Sequence, residues 1–268
     1  MDVTITASTY SGLVERMATL VVSGESLSTG VTITQEAPAL AYRILYTTTD
    51  SNALDNIPTT GWGATFVSNT YYDGQGVISF SSPVTSVPAR AFYNKPTLQT
   101  VSMDDTVTSL GDIAFGNCPN LTGITLSSAI TTMGASAFYG TGIDSFEFPP
   151  LVTTISGGIF SLCRSLTGIT IPDAITSIQP QAFAGCTAMT NVVIGSGVTS
   201  IGQGAFSNCK SLTTIRATRT VAPSIEQDTF NTVASNGTLY YPSGANYSAW
   251  LNTNYWYLGF YNWTGVPY

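Results

Sequence analysis

The chain contains no histidine, which removes a large share of enzyme chemistry. Serine and cysteine triads that use an imidazole base, and metal sites that use histidine ligands, have nothing to build on. Charge is scarce too: Asp, Glu, Lys and Arg make up 9% of the residues, against about 25% in an ordinary soluble domain. There are only two lysines, Lys95 and Lys210, and the formal charge is −7. Nucleic acids and anionic membranes are held by clustered basic side chains, so neither is expected as a partner. No apolar run approaches the roughly 18 residues of a membrane-spanning helix, and Met1-Asp2-Val3 is not the basic start expected of a secretory signal.

Cysteine is present but not in pairs. Cys118, Cys163, Cys186 and Cys209 form no Cys-x-x-Cys, so the close spacing of a zinc site is missing. Each lies three residues after a phenylalanine, and the same slot holds Lys95, Thr141 and Val233 elsewhere. The four are expected to be free thiols packed as small buried hydrophobes, and no metal or other cofactor is expected.

What the chain does have is a period. Phe92, Phe115, Phe138, Phe160, Phe183, Phe206 and Phe230 follow one another at steps of 23, 23, 22, 23, 23 and 24 residues. A fixed step of that size marks a solenoid, in which each turn buries its apolar face only against its neighbours. Each unit opens with apolar-x-x-apolar-x-apolar, as in Leu98–Met103, Leu121–Leu126, Ile143–Phe148, Leu166–Ile171, Met189–Ile194 and Leu212–Ala217. A second short extended piece follows, such as Ile175-Thr-Ser-Ile178, and then a tight, partly helical turn ending in Ala-Phe. The fold class expected is an α/β repeat solenoid, rich in β, of about seven 23-residue turns with a cap at each end. Side chains alternate across a strand, so one residue of each opening strand points outward. That outward column is Ser79, Ser102, Thr125, Glu147, Thr170, Val193 and Arg216.

The ends read differently. Residues 1–38 carry two alternating runs, Arg16-Met-Ala-Thr-Leu-Val-Val22 and Gly30-Val-Thr-Ile-Thr-Gln35, joined by a hairpin-like connection. Residues 39–80 are expected to cap the first turn, with Trp62, Phe66 and Tyr71 as its cover, and the repeats are expected over 77–217. Residues 218–268 hold the last turn and an aromatic tail containing Trp250, Trp256 and Trp263, which reads as an end cap.

The repeat resembles the BspA-like leucine-rich repeat. The residues that carry the likeness are Leu166-Thr-Gly-Ile-Thr-Ile-Pro172, Ile175-Thr-Ser-Ile178, Gln181-Ala-Phe183 with Cys186, and Val198-Thr-Ser-Ile-Gly-Gln-Gly-Ala-Phe-Ser-Asn-Cys209. The resemblance covers about residues 42–268 and implies a right-handed leucine-rich-repeat stack. It also implies a secreted or surface-exposed protein of Bacteroides-type bacteria, an adhesin binding host or extracellular matrix proteins. The family has no shared catalytic residues to carry over. The runs in residues 1–38 resemble the closing strands of a BACON domain, an immunoglobulin-like module.

No catalytic site is expected. Asp144 and Glu147 could serve as a carboxylate pair only if held about 5 to 9 Å apart in a cleft, and both fall on one exposed strand. Asp104-Asp105 falls short of the oxygen cage that Ca²⁺ requires and reads as a solvated turn. The Asn-x-Ser/Thr triplets at Asn120, Asn236, Asn246 and Asn262 are what a chain rich in Ser and Thr contains by chance. The candidate protein-binding face is therefore the outward column Ser102, Thr125, Glu147, Thr170, Val193 and Arg216. Within it, Glu147, Val193 and Arg216 depart from the hydroxyl background. A glycan-binding alternative would use Trp250, Trp256 or Trp263 as stacking platforms, and a third reading is a structural spacer.

Overall fold

The computed structural model describes the strands at 16–24 and 27–35, all of 42–253, and 257–268. The chain divides into two compact units, Met1–Ala41 and Tyr42–Tyr268. In the first, Arg16–Gly24 and Leu27–Gln35 pair antiparallel, with Arg16 opposite Gln35 and Gly24 opposite Leu27.

The second unit is a β-solenoid. Its main parallel strands are stacked turn on turn, so that Thr170, Val193 and Arg216 lie in one row. The apolar-x-x-apolar-x-apolar spacing produces this geometry: in Leu98–Met103, the side chains of Leu98, Val101 and Met103 are buried. A second set of two-residue strands forms narrow parallel sheets on another side of each turn, as in Thr154–Ile155, Ser177–Ile178 and Ser200–Ile201.

The seven phenylalanines form one column through the core. All are fully buried, with neighbouring ring centroids 5.0–5.7 Å apart and planes within 4–11° of parallel. Trp62 closes one end edge-on to Phe92 at 80°, and Trp250 closes the other, 5.4 Å from Phe230. Each ring's turn has a left-handed residue two places before the phenylalanine and another two places after, for example Gln181 and Gly185 around Phe183, or Ile113 and Asn117 around Phe115. Left-handed backbone cannot continue a right-handed helix. The partly helical turns expected from the sequence are therefore hydrogen-bonded turns. Among the described residues the only helix is the single 3-10 turn Leu258–Tyr261.

The cysteines lie inside this frame. Each thiol donates to the carbonyl of the phenylalanine one turn back: Cys118 to Phe92 at 2.9 Å, Cys163 to Phe138 at 3.0 Å, Cys186 to Phe160 at 3.1 Å and Cys209 to Phe183 at 3.2 Å. All four are free and buried.

Two expectations are corrected at the start of the stack. Gln75–Phe80 does not open the parallel series, because Arg43–Thr48 is inserted antiparallel between it and Leu98–Met103. Ser79, flanked by Arg43 and Ser68 on neighbouring strands, is buried and leaves the outward column. At the far end, the aromatic tail contributes a further strand, Thr264–Pro267, which pairs parallel with Thr238–Tyr241.

A third correction concerns the middle. The expected strand Ile143–Phe148 does not form, and both sheets are interrupted there. The rung made by Thr122 N–H to Gln99 O recurs from Thr167 to Asp144, Thr190 to Thr167 and Thr213 to Thr190, but there is none from Asp144 to Thr122. On the second side, Thr131 donates to Thr108 and Thr176 to Thr153, with no rung from Thr153 to Thr131. The Ser156 hydroxyl takes the Met133 carbonyl instead, at 2.5 Å. The cause is a one-residue deletion. Other turns link their Cys-slot residue to the next strand through two residues, as in Cys118-Pro-Asn-Leu121, but Thr141-Gly-Ile143 has only one. Gly142 permits the shortcut, since a Cβ there would run into the Pro119 carbonyl.

Replacing Phe183 with Ala should lower the unfolding free energy by about 3–5 kcal/mol. Denaturant titration would measure this, with Thr170→Ser as an outward-facing control within about 0.5 kcal/mol. The thiols provide a second test. Burial pushes Cys118 and Cys163 from 9.0 up to about 11 and Cys209 up to about 12. Burial also raises Cys186, with the neighbouring Cys209 and Cys163 adding to the effect. A thiol raised in the folded state contributes stability that is complete below the unfolded pKa and is lost as pH rises through the folded one. Stability should therefore decline from about pH 9 towards 11–12. A variant with all four cysteines changed to Ala should decline less steeply, as read from denaturation midpoints across that range.

Candidate binding face

The outward column is split by the interruption. On one side Ser102 sits opposite Thr125; on the other, Thr170, Val193 and Arg216 continue in one row to Tyr240, which pairs with Val266. Thr125, Glu147, Thr170 and Arg216 are exposed, while Ser102 and Val193 are half-buried. Arg216 is not a free charge on this face: its guanidinium lies over the Tyr268 ring, 4.2 Å from the centroid, and the Tyr268 hydroxyl donates to Ala217 O at 3.1 Å. Glu147 stands alone in the gap, on a segment that belongs to neither sheet.

The gap opens into a groove of about 1010 Å³ that reaches from Thr122 to Asn191 across successive turns. Its walls come from Thr122–Ser128 and from Gly168–Thr170, and its middle from Ser145–Pro150. No backbone hydrogen bond joins Ser145–Phe148 to Gly123–Thr125 or to Gly168–Ile171. The core is partly uncovered as a result. Ile124 and Phe146 are half-buried, whereas the residues at the same repeat position, Ile169, Val192 and Ile215, are 3%, 1% and 0% exposed. Phe146 turns its ring onto the phenylalanine column, 4.6 Å from Phe160 and 5.3 Å from Phe138.

Glu147 therefore lines a groove and does not lie on the strand expected over Ile143–Phe148. The signals of the groove in the sequence were the single 22-residue step and the short Thr141-Gly-Ile143 link.

The tryptophans are corrected. Trp250 is fully buried against Phe230 and donates its indole N–H to Pro223 O at 2.9 Å. Trp263 is 6% exposed and donates to Ala234 O at 2.8 Å. Both close the end of the core, so neither presents a ring face to a sugar. Trp256 lies outside the described residues.

The acidic candidates are accounted for by capping. Asp104 accepts from the Arg43 N–H at 3.3 Å, and Asp105 accepts from the Ser128 N–H and hydroxyl at 3.1 and 3.3 Å. Asp173 repeats this on Ser196 at 2.6 and 2.9 Å. Among the described residues, no three His, Cys, Asp or Glu side chains come together as a metal site would require. No described helix is long and apolar enough to cross a membrane.

The profile of the family described as "BspA type Leucine rich repeat region" matches residues 74–167 and 153–249, with six copies. The chain belongs to this family. Several solved structures are similar to it. A leucine rich repeat protein of T. pallidum is 26% identical over 52% of this chain and 69% of its own, with a TM-score of 0.49. A leucine rich cell surface protein of Faecalibacterium prausnitzii A2-165 is 25% identical over 70% and 63%, with a TM-score of 0.45. A leucine-rich repeat protein of Bacteroides ovatus is 16% identical over 87% and 71%, with a TM-score of 0.35. No curated protein matches the sequence.

The end-cap role of Trp250 predicts a stability effect. Trp250→Ala should lower the unfolding free energy by about 3–5 kcal/mol, measured by denaturant titration.

Proposed function

We propose that this BspA-type solenoid is a non-catalytic binding module that holds a host or extracellular protein against its main strand face, on the outside of the bacterial cell. One observation carries the reading: the outward residues of successive parallel strands lie in register, Ser102 with Thr125 and Thr170 with Val193 and Arg216, giving rows rich in small hydroxyls on which Val193 stands out, with Glu147 exposed in the gap between them. Extended sheet surfaces of this kind are what solenoids use for recognition. Small hydroxyl side chains lose little conformational entropy on contact, so such a face can be covered at low cost. The surface location rests on membership of the family. The glycan alternative needed an exposed tryptophan, and two of its three candidates are buried.

The test is to immobilise the full chain, screen extracellular matrix proteins and mucins, and measure the best partner by interferometry. Glu147→Ala combined with Thr170→Ala and Val193→Ser should weaken that partner by about tenfold, equivalent to 1.4 kcal/mol. The same partner should be unaffected by changes on the exposed surface of the phenylalanine turns, such as Gln203→Ala. Unchanged binding in the triple variant would place the site elsewhere.

A further inference from the structure

We propose that the groove over the interrupted turn is a docking site for an extended, cationic segment of a partner protein, with an apolar side chain at its centre. The proposal rests on the protein-binding reading above and adds the place and the chemistry of the contact.

Three observations converge on this occupant. The first is the backbone. Everywhere else along the main sheet, successive turns hold each other by strand pairing, but Ser145–Phe148 makes no backbone bond to the strand on either side. The strands Gly123–Thr125 and Gly168–Ile171 are therefore left as sheet edges, and unpaired strand edges are templates for an added strand, because main-chain groups of the incoming chain can satisfy them. An extended segment of about five residues, at roughly 3.3 Å each, matches the length of wall from Thr122 to Leu126.

The second is the floor. Ile124, Leu126 and Phe146 are half-buried at positions where regular turns are sealed. An apolar side chain entering the groove would complete that burial by taking this apolar surface out of water.

The third is charge. Glu147 is the only ionisable residue lining the groove, and no lysine or arginine lines it. Asp144, which precedes the lining residue Ser145, and Asp105, which holds the lining residue Ser128, are acidic as well. With a formal charge of −7 over the whole chain, an acidic segment would be repelled and a basic one attracted. The occupant is not a segment of this chain, whose eight Lys and Arg residues are scattered and nowhere alternate with apolar residues.

The probe is a labelled heptapeptide, acetyl-Lys-Val-Lys-Phe-Lys-Val-Lys-amide, with its Glu-for-Lys counterpart as control. Both are titrated against the full chain by fluorescence anisotropy and by hydrogen exchange at Ser145–Phe148. The cationic peptide should bind, slow exchange at those amides, and weaken as salt is raised, while the acidic peptide should not bind. Glu147→Lys should weaken binding by about tenfold. Inserting Asn after Gly142 restores the two-residue link; it should close the ladder, slow exchange without peptide, and abolish binding while the circular dichroism spectrum is retained.

Failure of the cationic peptide to bind, equal binding by Glu147→Lys and the insertion variant, or protection only outside the groove would each overturn the inference. A matrix partner that binds the insertion variant as tightly as the parent leaves the face reading standing and removes the groove. A groove that takes the peptide in a chain that retains no extracellular protein removes the face reading instead.

Discussion

Everything in the second unit depends on seven phenylalanine rings lying parallel at 5.0–5.7 Å. That spacing is close to the separation of paired strands, about 4.8 Å, so a ring column and a backbone ladder share one repeat without strain. Near-parallel rings at these distances fall within the roughly 4.5–7 Å range that aromatic pairs favour. Left-handed residues on both sides of each ring fold the chain tightly enough to return a phenylalanine to the axis every turn. The thiols and threonines then satisfy the carbonyls that such tight turns leave pointing inward, as Cys186 does for Phe160 and Thr141 for Phe138.

The same architecture accounts for the composition. Outward strand positions need only be small and polar, so charge can fall to 9% without exposing the core. Between turns, hydroxyls extend the ladders: the Thr108, Thr131, Thr176 and Thr199 side chains each donate to the carbonyl one turn back. Asp105 and Asp173 do comparable work at the bends, each capping a serine N–H of the next turn. In both cases a polar residue is spent on holding neighbouring turns together.

How legible the molecule was depended on the range of the interactions. The phenylalanine column, the thiol slots and the placement of Thr125, Thr170 and Arg216 follow from local spacing, because each turn meets its neighbour at a fixed offset. The burial of Ser79 does not, since it results from Arg43–Thr48 inserting beside Gln75–Phe80 from some thirty residues upstream. Nor does the burial of Trp250 and Trp263, which depends on the tail folding back over the last turn. The interrupted turn is an intermediate case. Its cause is written in the sequence as one missing residue at Thr141-Gly-Ile143, but its effect appears only when two sheets fail to continue past it.

That interruption also has a mechanical side. Where the ladders are complete, neighbouring turns are tied on several sides and cannot tilt against each other. Between the turns of Phe138 and Phe160, the backbone bonds that remain are on the phenylalanine side, where Ser136 donates to Gly157, Phe138 to Ile159 and Gly140 to Ser161, and the Ser156 hydroxyl adds one tie to the Met133 carbonyl. A stack held by fewer bonds at one junction than at the others resists bending least at that junction. Bending strain applied to the two ends would collect there, widening or narrowing the groove while the rest of the stack stays stiff.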